Sequence, residues 1–150
     1  MSLFRRSALL AGLATLIAGA PALAQTQITI HHALPPNSHT GAGPIAFKEA
    51  FERLTNNRYR IAIQRNDNER EMIESAQIGT IDCTFTSTGP VGNFVPEVRI
   101  FDVPFLFRDT AHARGVLDSE IGQQVLSRFS ARGLHGVIWT ENGFRHLTNS

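Results

Sequence analysis

The sequence is short of cysteine and of any excess of charge, and each shortage excludes a class of protein. Cys83 is the only cysteine among 150 residues, so the chain cannot form an internal disulfide. Its apolar neighbours at alternating positions favour a buried thiol over a nucleophile. The 14 basic and 13 acidic residues nearly balance, without the basic patch that binds nucleic acid or a membrane surface. Repeats, low-complexity tracts and flexible linkers are also missing, so we expect one folded domain.

The one long apolar run lies at the N-terminus and has the three parts of a secretory signal peptide. Arg5-Arg6 forms a charged n-region, residues 8–20 are apolar, and Ala22-Leu23-Ala24 matches an A-x-A cleavage site. The run is too short to span a membrane comfortably. We therefore expect residues 1–24 to be a signal peptide that is cleaved after about Ala24, which places the mature chain in the periplasm.

Beyond the N-terminus, strand patterns alternate with helix patterns. Alternating apolar residues predict strands at residues 27–32, 59–63, 81–85 and 134–140, with a further strand at 144–148 after the turn signal Asn142-Gly143. Apolar residues at helical spacing predict helices at residues 43–54, 68–79, 110–117 and 121–129. Asp109 is expected to cap the third of these helices, and Asp118 or Ser119 the fourth. Residues 94–107, rich in aromatic residues and proline, are interpreted as an extended, packed crossing. This order predicts an α/β fold with a mainly parallel, doubly wound sheet.

The stretch from residue 68 to residue 90 carries the clearest local signals. Asn68 is expected to cap a helix, with Glu71 completing a capping box and Gly79 ending the helix. After a strand, Ser87-Thr88-Gly89-Pro90 is expected to begin another helix, with Pro90 at its first position. A strand-to-helix turn of this kind directs backbone N–H groups outward and favours an anion. An ordinary loop that binds nothing is the alternative.

Polar residues follow each predicted strand at one edge of the sheet, and ligands of parallel α/β sheets bind beyond that edge. They are His31 and His32, Asn68 and Glu69, Thr86 and Ser87, and residues 141–145. We expect these strand tips to form one wall of a site for a small carboxylate. The planar guanidinium of Arg145 suits a carboxylate, and an ordinary surface position is the alternative interpretation.

The histidines do not form a convincing metal site. His31 and His32 point to opposite faces of a strand, so one ion cannot easily bind both. His39 and His146 are not placed by helical i, i+4 spacing to complete such a site. We predict no metal and no cofactor, since a P-loop is also missing.

Catalytic interpretations of Ser87 and Glu69 are weaker than structural ones. Ser87 lies in Thr-Phe-Thr-Ser-Thr-Gly-Pro rather than in the G-x-S-x-G turn of a serine nucleophile, which favours a helix cap or a ligand-binding hydroxyl. Glu69 follows a helix cap, where the helix dipole stabilises a carboxylate without any further role. We therefore predict no catalytic residue.

Several segments resemble, in family order, the periplasmic solute-binding receptors of tripartite ATP-independent (TRAP) transporters, the DctP type. The most specific are Asn93-Phe-Val-Pro-Glu97, the run from Phe101 to Asp109 (FDVPFLFRD) and the run from Glu141 to Ser150 (ENGFRHLTNS). Supporting segments are residues 32–35, 47–49, 69–71, 79–82 and 87–90. Together they cover nearly the whole chain after the signal peptide.

The resemblance implies that residues 25–150 form the N-terminal lobe of a type II periplasmic-binding-protein-like fold. Such a receptor closes two α/β lobes around a small organic acid and delivers it to the membrane permease subunits of a sodium-driven TRAP transporter. By position, Arg145 matches a ligand-facing arginine and Glu69 an acidic residue beside the cleft. Thr86 and Ser87 match the loop that lines the cleft, with His32 at the neighbouring strand tip.

Two departures from the family pattern affect these expectations. Ala33 stands where the family often has an asparagine ligand. Family members are also much longer than this chain, and their second lobe and principal arginine would follow residue 150, so we expect a truncated form. A periplasmic enzyme acting on a small acid and a sensor or scaffold lobe are the alternatives.

Overall fold

Three parallel strands form the sheet, in the order β2-β1-β3. They are β1 (Thr26–His32), β2 (Tyr59–Arg65) and β3 (Cys83–Phe85). This computed structural model describes residues 25–33, 35, 38 and 41–144. The expected signal peptide, the strand expected at residues 144–148 and Arg145 therefore lie wholly or largely outside the described residues.

Helices connect the strands and cover the sheet. They are α1 (Ala42–Leu54), α2 (Glu69–Gln77), α3 (Thr88–Val91), α4 (Thr110–Leu117) and α5 (Glu120–Ser127), with 3-10 helices at Pro96–Asp102 and Arg128–Arg132. Within the described part of the chain, no helix has the length and apolar character needed to cross a bilayer.

The helices α1 and α2 lie on opposite faces of the sheet. Right-handed connections run from β1 through α1 to β2, and from β2 through α2 back across β1 to β3. On one face, the ring of Phe47 in α1 packs edge-on against Phe85, with 6.2 Å between centroids. On the other face, the Thr84 hydroxyl lies 3.5 Å from the Met72 sulfur of α2. The predicted α/β fold with a parallel sheet is confirmed.

Local sequence signals place most helix ends correctly. Asp109 caps α4 by accepting a 2.7 Å hydrogen bond from the His112 N–H, and Ser119 caps α5 through the Ile121 N–H. Gly79, just after α2, has the left-handed φ of 75° that was expected of it. These signals work because each depends on residues only a few positions apart.

The strand predicted at residues 134–140 does not form. This segment pairs with no strand of the described sheet and instead packs against α5 and the 3-10 helix at Pro96–Asp102. The indole N–H of Trp139 donates to the Gly122 carbonyl at 3.2 Å, and its ring meets Phe101 edge-on. Glu141 forms an ion pair with Arg114 of α4. Side-chain anchoring to the helices thus replaces strand pairing.

Two smaller predictions are also wrong, and the turn expected at Asn142-Gly143 is described only in part. Residues 94–107 were expected to be an extended crossing, but they contain the 3-10 helix Pro96–Asp102. In this helix the Val98 N–H donates to the Val95 carbonyl at 3.1 Å. Pro90 is the third residue of α3 and not the first. Gly143 has a φ of 80°, but Asn142 does not lie in the left-handed region, so the turn is not the type I′ turn of a two-residue hairpin.

The outer edge of β2 is closed by two side chains of α1. The Ile61 N–H donates to Glu52 Oε1 at 2.8 Å, and Lys48 Nζ donates to the Ile61 carbonyl at 2.8 Å. Glu52 is 8% exposed and also contacts Arg60. The Ile61 hydrogen bond, aided by the charges of Lys48 and Arg60, lowers the pKa of Glu52 below its ordinary 4.5, while burial opposes the shift. An edge covered in this way cannot pair with another strand.

Replacing Glu52 by glutamine should lower the melting temperature and flatten its dependence on pH. A carboxyl group with a lowered pKa in the folded state stabilises the fold above pH 4.5 and loses that effect as the pH falls through the folded-state pKa. Thermal unfolding of wild type and Glu52→Gln across acidic pH checks this. Glu49→Gln, at an exposed position of the same helix, is the control, and equal pH profiles for Glu52→Gln and wild type would contradict the assignment.

Helices α4 and α5 approach most closely at Gly122. A Cβ atom at Gly122 would lie 1.9 Å from the Leu117 carbonyl oxygen, which is far below any tolerated contact. By contrast, a Cβ atom at Gly115, within α4, would meet nothing within 4 Å. Packing therefore requires glycine at position 122 but not at position 115.

Gly122→Ala should destabilise the protein by about 1–3 kcal/mol or more, because the clash is with backbone. Gly115→Ala should instead stabilise it by up to about 1 kcal/mol through helix propensity. Chemical denaturation of both variants provides the measurement. Similar effects from the two substitutions would show that the α4–α5 approach is not as close as the structure has it.

Candidate functional site

Residues beyond the carboxyl ends of the strands border a shallow, open depression. Ala33 follows β1, Arg65 ends β2, and Gly89 and Pro90 belong to α3 just after β3. Glu69, at the start of α2, lies between this depression and a second cavity, because it lines both. Of the residues expected at the strand tips, Asn68 and Glu69 line this depression. His32, Thr86 and Ser87 line the second cavity instead, together with Glu69.

The turn between β3 and α3 directs three hydrogen-bond donors at one oxygen atom of Glu69. The Thr86 hydroxyl and the Ser87 N–H each lie 3.2 Å from Glu69 Oε2, and the Ser87 hydroxyl donates to the same atom. The Thr88 hydroxyl donates to Asp102 Oδ1 at 2.5 Å. The donors that the sequence assigned to an external anion thus bind carboxylates of the chain itself.

Glu69 reaches this turn because the start of α2 is fixed locally. Asn68 Oδ1 accepts a 3.2 Å hydrogen bond from the Glu71 N–H, which is the expected cap. The return bond of the capping box is replaced, since the Asn68 N–H donates to Asn66 Oδ1 at 2.9 Å. Glu69 is then the first helical residue, and its side chain extends across to β3.

The two histidines of β1 lie on opposite faces of the sheet, as strand geometry requires. His32 is 7% exposed and packs edge-on to Phe85, with 6.4 Å between centroids, on the face that α1 covers. His31 is paired in register with Thr84 on the α2 face. Among the described residues, no group of three acidic, histidine or cysteine side chains is placed to hold a metal ion, and His39 and His146 lie outside those residues.

A cavity of about 700 Å³ runs along the outer edge of β3. It is lined by every residue from 82 to 88 and by every residue from 133 to 142. Because successive side chains of a strand point to opposite faces, contact with consecutive residues shows that the cavity follows the strand edge. The cavity therefore separates β3 from the segment 134–140. It also reaches the strand tips, where it shares Ala33 and Glu69 with the depression.

Cys83 borders the same cavity and is not activated. Burial, the main cause, and the charge of Asp82 raise the pKa of its thiol above 9.0, although the Thr84 N–H partly opposes the shift. The thiol is therefore protonated at neutral pH, and thiolate is the form needed for nucleophilic attack.

Two arginines at the depression were not predicted from the sequence. Arg65 is held by both oxygens of Asp67, at 2.9 and 3.2 Å, and Arg70 forms an ion pair with Glu74 at 2.9 Å. The i, i+4 spacing of Arg70 and Glu74 is a signal that could have identified that pair. Neither arginine forms an ion pair with Glu69, and none of the other described basic side chains does so.

A parallel α/β sheet with polar side chains gathered at its carboxyl edge is the arrangement of a ligand-binding lobe. The profile of the bacterial extracellular solute-binding proteins, family 7 (DctP), matches residues 30–150. The chain therefore belongs to this family, which consists of periplasmic solute-binding proteins and is not a family of enzymes. The resemblance to TRAP receptors of the DctP type is confirmed.

Individual relatives agree with this assignment. A solute-binding protein from Verminephrobacter eiseniae is 49% identical over 134 residues, which are 87% of this chain and 40% of the relative. The crystal structure of a TRAP periplasmic solute-binding protein from Polaromonas, bound to D-erythronate, is 52% identical with a TM-score of 0.78 over 83% of this chain and 42% of that one. The C4-dicarboxylate-binding periplasmic protein DctP from Rhodobacter capsulatus is 30% identical over 85% of this chain and 40% of the relative. The chain thus spans about two fifths of their length.

Proposed function

We propose that this chain is the N-terminal lobe of an extracytoplasmic receptor that binds a small organic acid for a TRAP transporter. The observation that carries the proposal is the likeness, at 52% identity and a TM-score of 0.78, to a TRAP receptor bound to D-erythronate. Residues 1–24 would direct export to the periplasm and be cleaved after about Ala24. The membrane permease subunits of the transporter would then receive the ligand.

The described lobe supplies one wall of the binding site. Glu69, Thr86 and Ser87 lie together beside the strand tips, and His32 lies at the end of the neighbouring strand. A small ligand binds tightly when most of its surface is removed from water. One open wall cannot do this, so the remaining length of the relatives would provide the opposite wall.

In this proposal Arg145 binds the ligand carboxylate. It follows the segment that Trp139 and Glu141 anchor to the helices, and a guanidinium can form two parallel hydrogen bonds with a carboxylate. The proposal assigns no catalytic residue, because the Cys83 thiol is protonated and Ser87 does not lie in a G-x-S-x-G turn.

Arg145→Ala should weaken binding of D-erythronate about tenfold or more, the usual cost of losing a hydrogen bond to a charged group. Isothermal titration calorimetry on the intact gene product provides the measurement. Arg53→Ala is the control, since Arg53 is exposed in the last turn of α1, away from the strand tips. Unchanged affinity would remove Arg145 from the site. No binding of any small organic acid by the wild type would reject the receptor proposal itself.

A further inference from the structure

We propose that Glu69 makes this lobe selective for the hydroxyl groups of its ligand, so that the ligand is a polyhydroxylated monocarboxylic acid and not a dicarboxylic acid. This inference rests on the proposed receptor function and specifies its substrate class. The inference is based on the hydrogen-bond donors and acceptors at the strand tips that have no partner within the described chain.

Four donors of the β3–α3 turn, three hydroxyls and one N–H, are already used. Glu69 Oε2 accepts from the Thr86 hydroxyl, the Ser87 N–H and the Ser87 hydroxyl, and the Thr88 hydroxyl donates to Asp102. A carboxylate needs donors, and a ligand carboxylate here would have to displace one that is part of the chain. These four donors are therefore not readily available to the acidic end of a ligand.

Acceptor capacity remains at the same point. Glu69 Oε1 receives no hydrogen bond from the described residues, and the side chain borders both the depression and the cavity beside β3. An ionised carboxylate is a strong acceptor for O–H donors. The ligand group that suits Glu69 Oε1 is consequently a hydroxyl.

The charge of Glu69 is not neutralised by a described cation. The nearby Arg65 and Arg70 are engaged by Asp67 and Glu74, and the partners of Glu69 are hydroxyls and one N–H. A second carboxylate approaching Glu69 would meet a like charge in a partly dehydrated site, which strongly disfavours binding. A ligand with one carboxylate avoids this by placing that group away from Glu69 and its hydroxyls toward it.

Two four-carbon acids test the inference directly. D-Erythronate carries one carboxylate and three hydroxyls, whereas succinate carries two carboxylates and no hydroxyl. Calorimetry on the intact gene product should show that D-erythronate binds about tenfold more tightly than succinate, or better. In Glu69→Gln, which keeps an oxygen acceptor but removes the charge, this preference should fall about tenfold.

The control variant is Glu71→Gln, because Glu71 lies in the same helical turn and its side chain is exposed. It should keep the wild-type preference. Equal affinity of the wild type for the two acids, or the same change of preference in both variants, would overturn the inference while leaving the receptor function intact. Absence of binding to both acids would overturn the inference, and the receptor proposal falls as well only if no other small organic acid binds. Should Glu69→Gln fail to fold by circular dichroism, the wild-type preference alone decides.

Discussion

The parallel pairing of β1 with a strand on each side determines where a ligand site can form in this protein. Since β2 and β3 both run parallel to β1, all three carboxyl ends lie at one edge, and the connecting helices start from that edge. Glu69 and Ser87, 18 positions apart, meet there. A slip of one residue between β1 and β3 would turn His32 and Phe85 to opposite faces and separate their rings.

Side chains cover the outer edge of β2, whereas the outer edge of β3 borders a cavity. Glu52 and Lys48 form hydrogen bonds with the N–H and carbonyl groups of Ile61 on β2, so these outward-facing backbone groups have partners. Beside β3 lies the cavity of about 700 Å³, and the segment 134–140 on its far side is held by Trp139 and Glu141 to the helices. The cavity follows an uncovered strand edge and also reaches the strand tips, where ligands of such sheets bind.

The sequence predicts what depends on neighbouring residues and misses what depends on distant ones. The caps formed by Asn68, Asp109 and Ser119 could be predicted because donor and acceptor are two or three residues apart. The strand expected at residues 134–140 has the right alternation, but a strand exists only where a partner pairs with it, and alternation does not reveal the partner. The contact of Glu69 with Ser87 has no local signal either, so Glu69 could be interpreted from sequence as a simple capping acid.

The rule that a strand-to-helix turn favours an anion is correct here, but the anion is the carboxylate of Glu69 and not a ligand. Glu69 is covalently part of the chain, so its effective concentration at the turn exceeds that of any free metabolite, and it occupies the donors of Thr86 and Ser87 first. The consequence is that these donors are not free to bind the acid group of a ligand. A receptor for acids built on this lobe must therefore obtain its cation from another part of the chain.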